Sequence, residues 1–472
     1  MARTRSKAKA RAARLAPLLA LTVAWGACSS PATTGPAEGP RAGAHPPAAP
    51  APPPEVTPEP KARCGARTAE LEPLLATLAS SPTVAIERPE TLAPFFDALA
   101  RLDRKLASDH VRVAVYGDSN LTMDFPTGRM RRVLSRAFGE GGHGFVAAGQ
   151  PWSHYQHRDV RHGVISGWKP YAVSTSPTGD GLYGLGGIVV ENEWQGATTF
   201  VETAATGSPI GTDVARFDVF FLQRSGGGAF DVVVDGKRVR RVESGIARSE
   251  RDRSPRLGTL RVDVPEGPHR IELVASSAAV TRLMGVALER EAPGIVIDTF
   301  GVGSLNTRSQ VAENAALNAE MLRARRYDLV VFLTGANDVF TMDAVPKALT
   351  ALVERQRAAL PGVPVLVVSP ADRGARHSFP RTLEVVAQRQ RLAAELGVAY
   401  WSLWEAMGGR DTMARFVREG MAQKDAIHWN ARGGDWAGDR LTHALLKEYA
   451  AHVGAHAEAG CPSGARGAQA SR

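Results

Sequence analysis

The sequence predicts an α/β protein whose mostly parallel sheet is interrupted by a β-sandwich. Three observations lead there. Short valine-rich runs alternate with helix-spaced segments at both ends of the chain, over about 70–149 and 293–452. Strands buried on both faces and covered by helices produce that texture. Between them lies a stretch without helical periodicity that carries seven β-rich runs. The first valine-rich run also ends in Gly117-Asp118-Ser119, and sites of open α/β sheets lie just outside the carboxyl ends of the strands.

The chain of 472 residues is long enough for two globular domains and tails. It opens with six basic residues and no acid before an apolar run from Leu15 to Trp25 and Cys28. A basic region, a short apolar core and small residues define an export signal, too short to span a bilayer as a helix. Trp25-Gly26-Ala27-Cys28 resembles a bacterial lipobox, which implies cleavage after residue 27 and lipidation of Cys28. The signal holds six of the nine excess positive charges, so the basic balance gives no reason to expect a nucleic-acid partner. Residues 28–62 are a Pro/Ala/Gly tract that cannot bury a core and reads as a tether. Cys64 and Cys461 are the other two cysteines. In an oxidising compartment they are expected to pair as a disulfide that ties the ends of the folded region together.

Glu70 to Leu78 and Thr91 to Leu106 carry helical spacing, and the strand from Val111 follows. Met130 to Phe138 reads as the next helix, ended by a loop rich in glycine (Gly139, Gly141, Gly142, Gly144). The β-rich runs are 198–203, 216–222, 230–234, 239–242, 259–264, 270–274 and 282–288, with Asp235-Gly236 as a hairpin signal between two of them. They place a jelly-roll-like sandwich at 150–292, inserted between α/β segments 63–149 and 293–461. Trp152, Tyr155, Trp168 and Tyr171 at its opening read first as core packing, with a sugar subsite as the alternative. His154, His157 and His162 lie near one another without a carboxylate or cysteine framework, so no metal is expected. The alternation then resumes with strands at 294–298, 328–333, 363–368 and 398–401. Helices are expected at 309–326, 345–360, 381–396 and 441–452.

Asp425-Ala426-Ile427-His428 lies before the closing helix. A carboxylate three residues before a histidine can fold back onto one imidazole nitrogen and leave the other to face a serine, the logic of a hydrolytic triad. Alone, the same pattern is an ordinary helix cap with a surface histidine. Four blocks in order change the balance: Gly117-Asp118-Ser119-Asn120, Gly301-Val302-Gly303, Gly335-Ala336-Asn337-Asp338 and Asp425-Ala426-Ile427-His428. Together they resemble the SGNH (GDSL-type) hydrolases over about 100–150 and 293–452. The resemblance implies a three-layer α/β/α domain in which Ser119 is the nucleophile, His428 the base and Asp425 its orienter. It implies an oxyanion hole of the Ser119 N–H, the Gly303 N–H and the Asn337 side-chain amide, with the Ser304 N–H as the alternative to Gly303. Asn120 stands where leucine or histidine often follows the serine.

Asp124-Phe125, Thr127-Gly128 and Phe138-Gly139-Glu140-Gly141-Gly142, with Gly144-Phe145-Val146 after them, look like the peptidoglycan O-acetylesterases, which also carry a β-rich insert. That implies a serine esterase acting on an O-acetylated glycan partner, peptidoglycan or a related envelope glycan, with no metal or organic cofactor. The protein is expected to be lipid-anchored in the bacterial envelope, at the outer membrane facing the periplasm. A glycan O-acyltransferase of the same fold and an inactive glycan-binding lipoprotein are the competing readings.

Overall fold

A computed structural model of the chain describes residues 71–79, 84–374 and 379–460. Cys28, Cys64 and Cys461, and with them the signal, tether and disulfide expectations, lie outside the described residues.

The strands in chain order are β1 (Val111–Gly117), β2 (Gly144–Ala147), β3 (Val160–Ser166), β4 (Trp168–Ala172), β5 (Ile188–Asn192), β6 (Thr198–Thr203), β7 (Val214–Gln223) and β8 (Ala229–Val234). They continue as β9 (Lys237–Glu243), β10 (Arg256–Gly267), β11 (Arg270–Ala275), β12 (Arg282–Glu289), β13 (Ile295–Gly301), β14 (Leu329–Leu333), β15 (Val365–Val368) and β16 (Ala399–Trp401). The helices are α1 (Leu71–Leu78), α2 (Ala93–Asp103), α3 (Phe125–Phe138), α4 (Thr307–Val311), α5 (Ala315–Arg325), α6 (Val345–Ala359), α7 (Phe379–Glu395), α8 (Leu403–Met407), α9 (Thr412–Arg418) and α10 (Ala431–Gly460).

Five parallel strands make the central sheet, in the order β13-β1-β14-β15-β16. Every residue of β1, β13 and β14 is buried, which is why these runs read as continuous apolar sequence. Gly117 at the end of β1 pairs with Gly301 on one side and Leu333 on the other. The register therefore releases three loops side by side from the carboxyl edge of the sheet: those carrying Ser119, Gly303 and Asn337.

One face of this sheet packs Val113, Val115 and Val331 against Phe96, Val133, Phe138 and Tyr449 of the helices. The other face meets helices α5 and α6, but also Phe145, Phe220 and Met284 from antiparallel strands. Tyr116, Phe300, Phe145 and Phe220 run across that junction with ring centroids 5.0, 5.4 and 5.8 Å apart in succession. The expectation of helices over both faces is thus corrected in part, because large aromatic side chains bring a second sheet onto this one.

The antiparallel strands form a six-stranded sheet (β10-β7-β12-β5-β4, with β2 also on β12) and a five-stranded sheet (β3-β6-β11-β8-β9). Phe217, Val219 and Phe221 of the first share an apolar cluster with Val201, Phe230 and Ile271 of the second. All seven β-rich runs are strands, as expected. Strands β2 to β5 were not anticipated, and β2 places the start of this region at Gly144 inside the expected glycine-rich loop. The expected helix 309–326 is two helices, interrupted where the Asn314 side chain accepts from the Leu317 N–H and starts a new one.

The closing helix begins at Ala431, ten residues early, behind Asn430, whose side-chain oxygen accepts from the N–H groups of Arg432 and Gly433. Glycines hid its first half. At Gly434 and Gly438 a Cβ would lie 2.3 Å from Phe125 and 2.4 Å from the Pro126 carbonyl oxygen, so helix α10 approaches α3 only without side chains there.

Candidate active site

The loop after β1 is shaped by its own short side chains. Asp118 is buried and accepts from the N–H of Asn120 at 3.1 Å and of Ala336 at 3.4 Å, tying the serine loop to the Asn337 loop. Burial pushes its carboxyl pKa up, against these two hydrogen bonds. Ser119 opens a single 3₁₀ turn, and the Thr122 hydroxyl donates to the Ser119 carbonyl at 2.8 Å. Gly301 is obligatory beside it, because a Cβ would lie 2.4 Å from the Leu121 backbone.

Three residues expected from the sequence meet here. Ser119 Oγ lies 2.8 Å from His428 Nε2, and His428 Nδ1 lies 2.6 Å from Asp425 Oδ2. The Asp425 carboxylate also accepts from the N–H groups of Ile427 at 2.9 Å and His428 at 3.1 Å. Burial alone would raise its pKa, but these hydrogen bonds, led by the His428 ring, hold it below the ordinary carboxylate value. An imidazole fixed in this way can take a proton from the serine hydroxyl through one nitrogen while the other stays oriented.

Asn120, which the sequence marked only as a departure, holds this arrangement. Its side-chain oxygen accepts from the Trp429 N–H at 3.0 Å, and its amide donates to the Ile427 carbonyl at 3.3 Å. The residue next to the serine therefore grips the chain on both sides of His428. Placement of Asn337 rests on a second network. Asp338 accepts from the N–H and hydroxyl of Thr307 at 2.8 and 2.7 Å and pairs with Arg389 at 3.1 Å, both side chains fully buried.

Ser119, Gly303, Asn337 and His428 all line one cleft of about 560 Å³. The Asn337 amide donates to the Leu305 carbonyl at 3.0 Å, which fixes its plane and leaves its second hydrogen free of that bond. Neither the Ser119 nor the Gly303 N–H donates to another group among the described residues. Ser304, the alternative donor, also lines the cleft and has φ 58°. Trp152, His154 and Thr175 bring the β-rich region into the lining of the same cleft. Trp152 packs so closely on Gly303 that a Cβ there would lie 3.0 Å from its ring. Of the other aromatics, Tyr155 and Trp168 are buried and Tyr171 is half-buried, in keeping with core packing.

His154 lines the cleft, whereas His157 and His162 sit in a buried cluster with His143 and Tyr155. His143 Nε2 and His157 Nδ1 are 3.1 Å apart, and Tyr155 Oη is 3.0 Å from His157 Nε2. Burial lowers the pKa of His157 to about 3 and of His162 to about 4. Asp124, His143 and His157 offer three ligand atoms within 4.8 Å of one another. The Asp124 carboxylate is already engaged, however, by Arg131 at 2.9 Å, Thr127 at 2.6 Å, Thr299 at 2.9 Å and the Arg158 N–H at 3.0 Å. A cation would have to displace the guanidinium that now neutralises it, so these residues fit a metal poorly.

The GDSL-like lipase/acylhydrolase family model matches residues 271–436, a span that holds Gly303, Asn337, Asp425 and His428 but not Ser119. No curated protein sequence matches the chain. A solved structure of a peptidoglycan O-acetylesterase is similar with a TM-score of 0.62 and 22% identity, covering 76% of this chain and 96% of its own. A lipase/acylhydrolase from Enterococcus faecalis has 21% identity and a TM-score of 0.27, covering 33% of this chain and 77% of its own. A family two carbohydrate esterase from Clostridium thermocellum has 11% identity and a TM-score of 0.25, covering 54% and 92%. The first of these likenesses is one of fold; the low scores of the other two carry no weight. The chain resembles the SGNH/GDSL hydrolases, peptidoglycan O-acetylesterases among them, and the family match supports an ester hydrolase.

Proposed function

We propose that the protein is a serine esterase that removes acetyl groups from an envelope glycan, with O-acetylated peptidoglycan as the substrate. The observation that carries this reading is the line Ser119 Oγ, His428 Nε2, His428 Nδ1, Asp425 Oδ2, with separations of 2.8 and 2.6 Å. The fold likeness to a peptidoglycan O-acetylesterase and the Trp152 wall of the cleft support the glycan part.

In this reading His428 accepts the Ser119 proton as Oγ attacks the ester carbonyl. The carbonyl oxygen gains charge among the N–H groups of Ser119 and Gly303 and the Asn337 amide, each donor worth about 3 kcal/mol to the transition state. The tetrahedral adduct collapses, protonated His428 gives its proton to the departing sugar hydroxyl, and acetyl-Ser119 remains. Water attacks in the second half, with His428 again taking a proton and then returning it to Ser119 Oγ as acetate leaves. Asp425 keeps the imidazole oriented throughout. The inserted β-sandwich supplies part of the glycan site. Lipidated Cys28 and the tether of residues 28–62 hold the enzyme at the outer membrane facing the periplasm, and a Cys64–Cys461 bridge closes the fold.

The test is acetate release from O-acetylated peptidoglycan by wild type and Ser119→Ala. Serine-dependent release is expected. Release that survives Ser119→Ala would overturn the proposal, as would acetyl transfer to an added glycan acceptor in place of release.

A further inference from the structure

The described lining of the cleft contains an arginine, Arg373, and no carboxylate. Arg373 is 9% exposed and comes from the loop after β15. Its Nη1 donates to the Ala336 carbonyl at 2.7 Å, and its Nε is buried without a partner. Nη2 has no hydrogen-bond partner among the described residues and is not a fully buried atom left unpaired, so it is the corner of the guanidinium left to meet a ligand. The ring of Phe340, 66% exposed, lies 5.4 Å from the guanidinium carbon.

A guanidinium stays charged at every physiological pH, and burying one without a contacting counter-ion is unfavourable. Asp118 and Asp425 act on it from a distance, but Asp118 is committed to the Asn120 and Ala336 N–H groups and Asp425 to His428. A carboxylate brought by the ligand would supply the missing partner through a charge-assisted hydrogen bond to Nη2.

We infer that Arg373 is a specificity-determining residue that recognises a carboxylate on the alcohol part of the ester, so that the preferred substrate is an acidic sugar ester rather than a neutral one. This rests on the esterase reading above for its substrate but not for its test, which measures binding. N-acetylmuramic acid and N-acetylglucosamine differ by the lactyl group that carries the carboxylate, so they serve as probes.

Binding of both sugars to the Ser119→Ala protein is measured by calorimetry, then repeated with Arg373→Gln added. The acidic sugar is expected to bind about tenfold more tightly than the neutral one, with the difference shrinking in high salt and vanishing with Arg373→Gln. Equal binding of the two sugars, no binding of either up to their solubility, or a preference that survives Arg373→Gln overturns the inference. In an otherwise wild-type protein, Arg373→Gln should lower hydrolysis of O-acetylated N-acetylmuramic acid more than hydrolysis of neutral 4-nitrophenyl acetate. An equal loss on both esters would overturn the inference, because Arg373 would then act by holding the Ala336 carbonyl and Asn337. Failure of the esterase reading shows separately, as ester hydrolysis that does not depend on Ser119.

Discussion

The side-chain oxygen of Asn120 accepts a hydrogen bond from the Trp429 N–H at 3.0 Å, across 309 residues of chain. This bond, with its companion to the Ile427 carbonyl, fixes the height of His428 above Ser119. Asn120→Ala should lower kcat about tenfold or more with a smaller change in KM, since misplacing a base acts on the reaction step more than on binding. Leaving the Trp429 N–H without its partner should cost about 1–3 kcal/mol. Steady-state kinetics and urea unfolding of the same variant separate the two effects.

The Asp338–Arg389 pair carries the second prediction. Both side chains are fully buried and 3.1 Å apart. Arg389→Met strands the Asp338 charge and should destabilise the fold by about 3–5 kcal/mol. Adding Asp338→Asn should recover part of that loss, because the stranded charge is then gone. Chemical denaturation of the single and double variants reads the difference directly.

Glu313 sets a pH dependence. Burial pushes its carboxyl pKa up to about 8, whereas in the unfolded chain it ionises near 4.5. Between those values the unfolded chain has released a proton that the folded protein keeps, so this group makes stability fall as pH rises. Glu313→Gln should remove about one proton from the pH slope of unfolding. The variant should therefore gain on wild type at pH 8 relative to pH 5 in thermal melts. A parallel shift of both curves would argue against it.

Trp152 tests whether the β-rich region takes part in recognition. It lines the cleft against Gly303. Trp152→Ala should raise KM for an acetylated glycan about fivefold and change KM for 4-nitrophenyl acetate little. An equal change on both substrates would make Trp152 a support for the Gly303 loop rather than a sugar contact.

The parts of the site that lie on one loop were legible in the sequence, because short local patterns fix them. Gly117-Asp118-Ser119 and Asp425 with His428 each need only a turn to present their side chains. Asn120 was not legible in its role, since its partners are backbone groups 307 and 309 residues away. Arg373 was missed for the same reason: no local pattern marks an arginine whose partner is the Ala336 carbonyl. In the fold, runs of valine gave the parallel strands, and alternation gave the strands from Thr198 onward. Strands β3 and β4 mix buried and half-exposed residues without regular alternation, so no period revealed them. Glycines that allow close packing on α3 masked the first turns of α10.

Acyl transfer through Ser119 is the step on which the esterase reading depends. The most direct measurement is covalent labelling with a fluorophosphonate, followed by mass-spectrometric mapping of the modified residue. A single adduct on Ser119, formed in step with loss of esterase activity and abolished by His428→Ala in a folded protein, is predicted. An adduct on another residue, or full inactivation with Ser119 unmodified, would contradict it.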